Sequence, residues 1–204
     1  MNKLINKKYK QQLNQLHEEG IFNNGKASYS LVKRFIKRFS PESILDFGCG
    51  HGALIEAISY HHPNIIVDGY DPGNFKFQIL PQNKFDAVIS TDVLEHIEPK
   101  HLDITLVEID KKIQKYAFFR IACYPARKKL PDGRNAHLII KKPFWWRAKI
   151  IKNMNVEIFR EKITKIDKGS GIKGYNYDLI IKNKLFKETN YLRTFINKYL
   201  YKKI

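Results

Sequence analysis

The run Ser43-Ile44-Leu45-Asp46-Phe47-Gly48-Cys49-Gly50-His51-Gly52 narrows the possible folds more than any other part of the chain. A short apolar stretch ends in an acid, glycines follow at alternate positions, and Ala53-Leu54-Ile55-Glu56-Ala57-Ile58 then takes up a helical pattern. That order predicts a buried strand, a tight turn and a helix whose N-terminus faces the turn. Glycine at 48, 50 and 52 removes the side chains that would hold a ligand away from the backbone, and free amides in such a turn can bind polar ligand groups. The spacing is not the G-x-G-x-x-G of dinucleotide sites, because the third glycine comes one residue early.

Two later stretches supply matching parts in order. Ile65-Ile66-Val67-Asp68-Gly69-Tyr70-Asp71 reads as a second apolar strand ending in an acid. Asp71 falls about 20 residues beyond the turn, the interval at which ribose-binding acids occur in related α/β sites. Phe85-Asp86-Ala87-Val88-Ile89-Ser90 is a third apolar run, and it leads into Thr91-Asp92-Val93-Leu94-Glu95-His96-Ile97. The acid before the first glycine, the Cys between glycines, the tight G-x-G-x-G and the phrase FDAVISTDVLEHI together resemble the motifs of the class I S-adenosylmethionine-dependent methyltransferases.

The resemblance covers residues 40–125 by motif and the remainder by order of elements. It implies an α/β fold of three layers, with a doubly wound, mostly parallel, Rossmann-like sheet and an antiparallel final strand. It implies S-adenosyl-L-methionine as cofactor, with Asp46, Gly48, Cys49, Gly50, Asp71, Pro72, Thr91 and Asp92 binding it. In that family the strand-end acid, here Asp71, takes both ribose hydroxyls, since a carboxylate has two acceptor oxygens for two donors. Residues 72–84 are too few for the usual helix, strand and helix. The third-strand region is therefore expected to shrink to a loop or short edge element, with Phe75 or Phe77 packing on the adenine.

Upstream, residues 4–18 and 27–39 read as two amphipathic helices, and Ser40-Pro41 breaks the second before the organising strand. Such a prefix often covers the cofactor cleft in this family, which makes Tyr9, His17 and Lys26 candidates to touch ligand. His61 and His62 are adjacent in a turn and diverge, so they receive no metal role. Downstream, a helix is expected over 100–114, a strand over 116–123, a long loop over 124–137 and a helix from Pro143 through Asn153. Strands over 156–165 and 177–183 form an antiparallel pair, and an amphipathic helix over 188–202 ends the chain. At 204 residues the reading is one domain, with a helical cap over 1–40, a methyltransferase core over 41–185 and the last helix within 186–204.

The net charge of +17 invites a nucleic-acid role, but only eight of the 37 basic residues are arginine. Phosphate recognition favours the bidentate guanidinium, so this composition reads as a solvated lysine surface, with non-specific attraction to RNA or anionic membrane left open. The N-terminus has no apolar core of a leader, and no apolar run reaches the roughly 18 residues that cross a bilayer. The expectation is a cytoplasmic protein without stable membrane insertion. Two cysteines make no disulfide framework.

Methyl transfer from a sulfonium is an in-line displacement, so alignment matters most and a base matters only for a weak nucleophile. Asp92, Glu95 and His96 stand at i, i+3 and i+4 and share one face if Asp92 already belongs to a helix, and His137 can approach from the long loop. His96 and His137 are the catalytic candidates. Arg127, Arg134 and Asn135 suit a substrate carboxylate or phosphate, and Trp145 suits a sugar or base. The D-x-x-E-H pattern with a later His also resembles the metal site of the small-RNA 3′-terminal 2′-O-methyltransferases, with Asp92 in place of that family's Glu. The leading expectation has no metal and a small-molecule, sugar or lipid-linked acceptor. Its alternatives are a metal-assisted RNA 2′-O-methyltransferase and a catalytically silent, cofactor-binding partner subunit held through the last helix.

Overall fold

In a computed structural model, which describes residues 4–18, 25–169 and 171–187, the apolar runs become the strands of one sheet. They are β1 (Ser43–Phe47), β2 (Ile66–Tyr70), β3 (Phe85–Thr91), β4 (Ile113–Cys123), β5 (Val156–Asp167) and β6 (Lys173–Asn183). Their order across the sheet is β2-β1-β3-β4-β6-β5. The first four are parallel to one another, while β6 runs antiparallel between β4 and β5. This is the mostly parallel α/β sheet with an antiparallel end that the motifs imply.

Side chains alternate across the strands and give each face its own core. Ile44, Ala87, Ile89, Tyr116 and Phe118 pack with Val32, Phe35 and Ile36 of α2 (Gly25–Phe39) and with Leu54 and Ile58 of α3 (Ala53–His61). Leu45, Val88, Ala117, Phe119 and Ile121 pack on the other face with Leu102, Leu106 and Ile109 of α4 (Leu102–Lys112) and with Trp146 and Ile150 of α5 (Pro143–Asn153). Each apolar side chain so buried contributes roughly 1.5–3 kcal/mol. At the end of α2, Ser40 takes a left-handed φ of 43° and donates its amide to Ile36 O, and Pro41 stops the helix.

No strand forms among residues 72–84, so β2 stays at the sheet edge with Ile66 exposed. The loop instead folds back on itself, with the Asp71 amide donating to Phe77 O at 2.9 Å. Phe77 packs beside Gly52 and Gly69, and Phe75 is exposed. Neither ring lines the cavity described below, which corrects the expectation that one of them packs on the adenine. The helix expected over 100–114 begins instead at Leu102, after two short 3-10 turns at Leu94–His96 and Pro99–His101. A final helix over 188–202 lies outside the described residues. No helix among the described residues is long and apolar enough to cross a membrane.

Candidate active site

The C-terminal ends of β1, β2, β3 and β4 open onto one cavity of about 510 Å³. Open α/β sheets bind ligands at this end, and the volume lies within the roughly 300–1,000 Å³ of small-molecule pockets. Asp46, Gly48, Cys49, Gly50, Asp71, Pro72, Thr91 and Asp92 all line it, as do both catalytic candidates, His96 and His137.

The glycine turn builds the cavity differently from the sequence expectation. Its amides are already engaged: Gly48 and Cys49 donate to Tyr70 O at 2.7 and 3.2 Å, and Gly52 donates to Cys49 O at 2.9 Å. Gly50 donates to Asp71 Oδ2 at 2.9 Å. Three of these amides therefore hold the turn to the end of β2 and the fourth closes the turn on itself, instead of offering donors to a ligand. Gly48 has a φ of +87°, and a Cβ there would lie 2.3 Å from Val93 Cγ2, so only glycine lets β1 pass so close to the segment after β3.

Asp71 sits just past the tip of β2 and is buried. Its Oδ1 accepts from the Gly73 amide at 2.8 Å and its Oδ2 from Gly50, which fixes the carboxylate against the cavity wall. Nearby, Asp46 is buried at the end of β1, and desolvation together with the Asp71 carboxylate pushes its carboxyl up to about 7. Two carboxyl groups buried side by side make this end of the cavity suited to a cation.

The reacting end is built by the segment after β3 and the loop after β4. Asp92 has a left-handed φ of 55°, a backbone state that costs a non-glycine residue about 1–3 kcal/mol, and its amide donates to Arg120 O. The strained turn and the 3-10 turn behind it mean that Asp92, Glu95 and His96 share no α-helical face. Glu95 is instead fully buried, with Oε1 accepting from the Ala122 amide at 3.0 Å and Oε2 without a hydrogen-bond partner among the described residues. Burial, reinforced by Asp92, holds the Glu95 carboxyl well above its ordinary range. Asp92 faces solvent through the cavity but is recessed among protein atoms, and that recess raises its carboxyl despite Arg120 and Lys168.

His96 Nδ1 pairs with Ala136 O at 2.8 Å and His137 Nδ1 with Tyr124 O. A carbonyl can only accept, so each ring carries its proton on Nδ1 and presents Nε2 as the lone-pair nitrogen. Burial and the neighbouring His137 lower His96 to about 4, and burial lowers His137 as well. Both imidazoles are thus neutral near pH 7. Glu95, His96 and His137 form a group whose ligand atoms all lie within 4.8 Å of one another, a donor set of one carboxylate and two imidazoles that fits a divalent cation. Asp92 stands outside that group.

The helix α1 (Lys7–Glu18) and the residues before it form a further wall, with Leu4, Ile5, Tyr9 and Leu13 lining the cavity. Tyr9 is buried, and its hydroxyl donates to His96 O at 2.6 Å. Asn6 Nδ2 donates to Glu98 Oε1, and Gln12 Nε2 donates to Asp132 Oδ2 at 3.0 Å. The side chains of His17 and Lys26 lie outside the described residues.

Of the expected substrate residues, only Arg127 lines the cavity. Arg134 turns outward onto Asp132, with Nη2 to Oδ2 at 2.7 Å. Asn135 spends its amide on the loop itself: Oδ1 accepts from the Ala126 and His137 amides and Nδ2 donates to Ala126 O, all at 2.9 Å. Trp145 stands edge-on to Trp146 on α5 and away from the cavity. Arg134, Asn135 and Trp145 are therefore corrected from substrate contacts to loop and core residues. In their place the structure brings Ser28, Tyr124, Lys128, Lys168 and Ile172 to the cavity wall. Lys168 and Ile172 flank the β5–β6 connection.

Residues 23–115 match the model of a family described as a methyltransferase domain. A comparison with curated proteins finds no match. Among solved structures, the chain is similar to a Burkholderia thailandensis 1,6-didemethyltoxoflavin N1-methyltransferase with bound S-adenosylhomocysteine (TM-score 0.58, 11% identity, 86% of this chain and 89% of that one). It is similar to the magnesium protoporphyrin IX methyltransferase of Synechocystis with bound S-adenosylmethionine (TM-score 0.55, 16% identity, 88% and 86%). A third is an S-adenosylmethionine-dependent methyltransferase from Archaeoglobus fulgidus (TM-score 0.53, 19% identity, 82% and 98%). Other matched methyltransferases are longer, and the chain spans 59% and 51% of two of them.

The fold is that of class I S-adenosylmethionine-dependent methyltransferases, and residues 23–115 match a methyltransferase domain. The cofactor of that class is S-adenosylmethionine, and the residues present fit it. The cavity has the size of a small-molecule site, a glycine wall with no room for a Cβ at 48, and a pair of buried carboxyl groups to face a cationic ligand.

Proposed function

We propose that this protein transfers the methyl group of S-adenosylmethionine to a small-molecule, sugar or lipid-linked acceptor. The observation that carries the reading is the arrangement at the strand tips, where one cavity is lined by the buried carboxyl groups of Asp46 and Asp71 and by the neutral imidazoles of His96 and His137. Asp71 accepts from the ribose hydroxyls, and Asp46 faces the positive charge of the methionyl part. The cofactor supplies an activated methyl carbon. With the cofactor bound, this chain's residues would hold that carbon in line with the acceptor, and a histidine Nε2 or solvent would take the proton that the acceptor loses on methylation. The similar solved structures with small-molecule methylation in their titles support this choice of acceptor class.

One observation favours a second reading. The clustered donor atoms of Glu95, His96 and His137 suit a divalent cation, as a metal-assisted RNA 2′-O-methyltransferase requires. Transfer of labelled methyl into fractionated host extract, with and without EDTA and with Asp71→Ala as the background, separates the readings. Label in small-molecule or glycan fractions, indifferent to EDTA, is the expected result. Label in RNA that EDTA abolishes would replace the first reading by the second. Cofactor binding with no label in any fraction would leave a silent partner subunit.

A further inference from the structure

The mouth of the cavity beside His137 is cationic, and its cations are held in place. Lys168 leaves the end of β5 and reaches back over the loop after β4. Its ammonium donates to the Tyr124 hydroxyl at 3.1 Å and lies 4.7 Å from the centre of the Tyr124 ring. Arg127, from that loop, donates through Nη2 to Lys168 O at 3.1 Å. An exposed lysine or arginine ordinarily samples many rotamers, whereas here two segments more than 40 residues apart lock both heads at one opening. Lys128 lines the same wall.

Neighbouring cations are matched: Arg120 with Asp178 at 2.6 Å, Arg134 with Asp132 at 2.7 Å, and Lys173 with Asp167 at 3.3 Å. Arg127 and Lys168 are bonded to neutral oxygens and form no ion pair among the described residues. The Lys168 charge reaches the reacting end, where it disfavours protonation of His137 and favours the carboxylate of Asp92. Asp92 is the carboxyl that faces Lys168 from the segment after β3, and it is shared with Arg120.

We propose that the methyl acceptor carries an oxyanion, a carboxylate or a phosphate ester, which seats between Arg127 and Lys168 and so directs the acceptor atom toward the His96–His137 end of the cavity. The proposal rests on the methyltransferase reading above. It divides the cavity by charge, with the cationic cofactor against Asp46 and Asp71 and the anionic acceptor against the basic mouth. Pre-organised donors reserve their binding energy for the ligand instead of their own ordering.

The test is calorimetric titration of inorganic phosphate and of acetate into the full chain saturated with S-adenosylhomocysteine, in EDTA, for wild type, Arg127→Gln, Lys168→Gln and the remote control Lys152→Gln. Oxyanion binding is expected in wild type and in the control, weakened by about tenfold or more in each of the other two, the size of a lost charge-assisted hydrogen bond. Preference for phosphate or for acetate assigns the acceptor's group. Binding that survives both substitutions, or no oxyanion binding by folded wild type, would overturn the proposal. If S-adenosylhomocysteine itself fails to bind, the methyltransferase reading falls, while phosphate titrated into the free protein still reads the oxyanion seat.

Discussion

The imidazoles of His96 and His137 meet edge to face with ring centroids 4.8 Å apart, although 41 residues separate them in the chain. Each is tied through Nδ1 to a backbone carbonyl, so two lone-pair nitrogens are set by the fold before any ligand arrives. Replacing either by glutamine is expected to lower methyl transfer by about 10²- to 10⁴-fold, the usual share of a positioned proton acceptor, with cofactor affinity changed little. Because His96 titrates at about 4, it stays in its acceptor form through neutral pH. Its contribution to the rate is therefore flat above pH 6 and declines only as pH falls toward 4. Single-turnover rates from pH 4.5 to 8 for wild type and His96→Gln measure this, and a rate governed near pH 6.5 would mean that an unburied histidine does the work.

Asp46 gives a pH dependence of the same direction in a higher window. Its carboxyl, raised to about 7, keeps its proton in the free protein below that pH, while a cationic cofactor favours the carboxylate. Affinity for S-adenosylmethionine should therefore rise with pH and level off above about 7, and Asp46→Asn should remove the slope. The linked effect on folding has the reverse sign. A folded-state value above the unfolded one means that the native state binds the extra proton, so this group's contribution to stability declines as pH rises from the ordinary carboxylate range to about 7. Chemical denaturation of the free protein at pH 5 and pH 8, wild type against Asp46→Asn, reads that difference.

Asn135 holds the loop that carries His137. With both side-chain ends bonded to the Ala126 backbone, and Oδ1 also taking the His137 amide, Asn135→Ala leaves buried or half-buried backbone groups unsatisfied. The cost is about 1–3 kcal/mol per lost partner, concentrated in the loop. Hydrogen exchange should quicken over residues 124–137 while the β1–β3 amides keep their protection. Loss of protection across the whole sheet would make Asn135 a residue of the global fold instead.

The strand–turn–helix at 43–58 and the acid at 71 were legible because they rest on local pattern: apolar runs, a glycine turn and a strand-end carboxylate lie within one short stretch each. The mostly parallel sheet with an antiparallel final strand followed, and the shortness of residues 72–84 announced a loop or a short edge element, of which the structure shows the loop. The state of the glycine amides was not legible, because a turn that donates to a neighbouring strand reads the same as one that donates to a ligand. Arg134 and Asn135 misled for a similar reason: polarity in a loop does not tell whether a side chain meets solvent, ligand or its own backbone. Lys168 escaped notice because its place at the mouth comes from the pairing of β6 with β4, a long-range contact that no local spacing carries.

The most direct measurement is calorimetric titration of S-adenosylhomocysteine into the wild-type chain and into Asp71→Asn. Asparagine keeps an acceptor oxygen for only one of the Gly50 and Gly73 amides, so a thermal melt is run to show that the variant still folds. The account requires one site per chain in wild type and an affinity about 10- to 100-fold weaker in the variant, the value of hydrogen bonds to a charged acceptor. Equal binding by both proteins, or none by folded wild type, would contradict the assignment of this cavity to the cofactor.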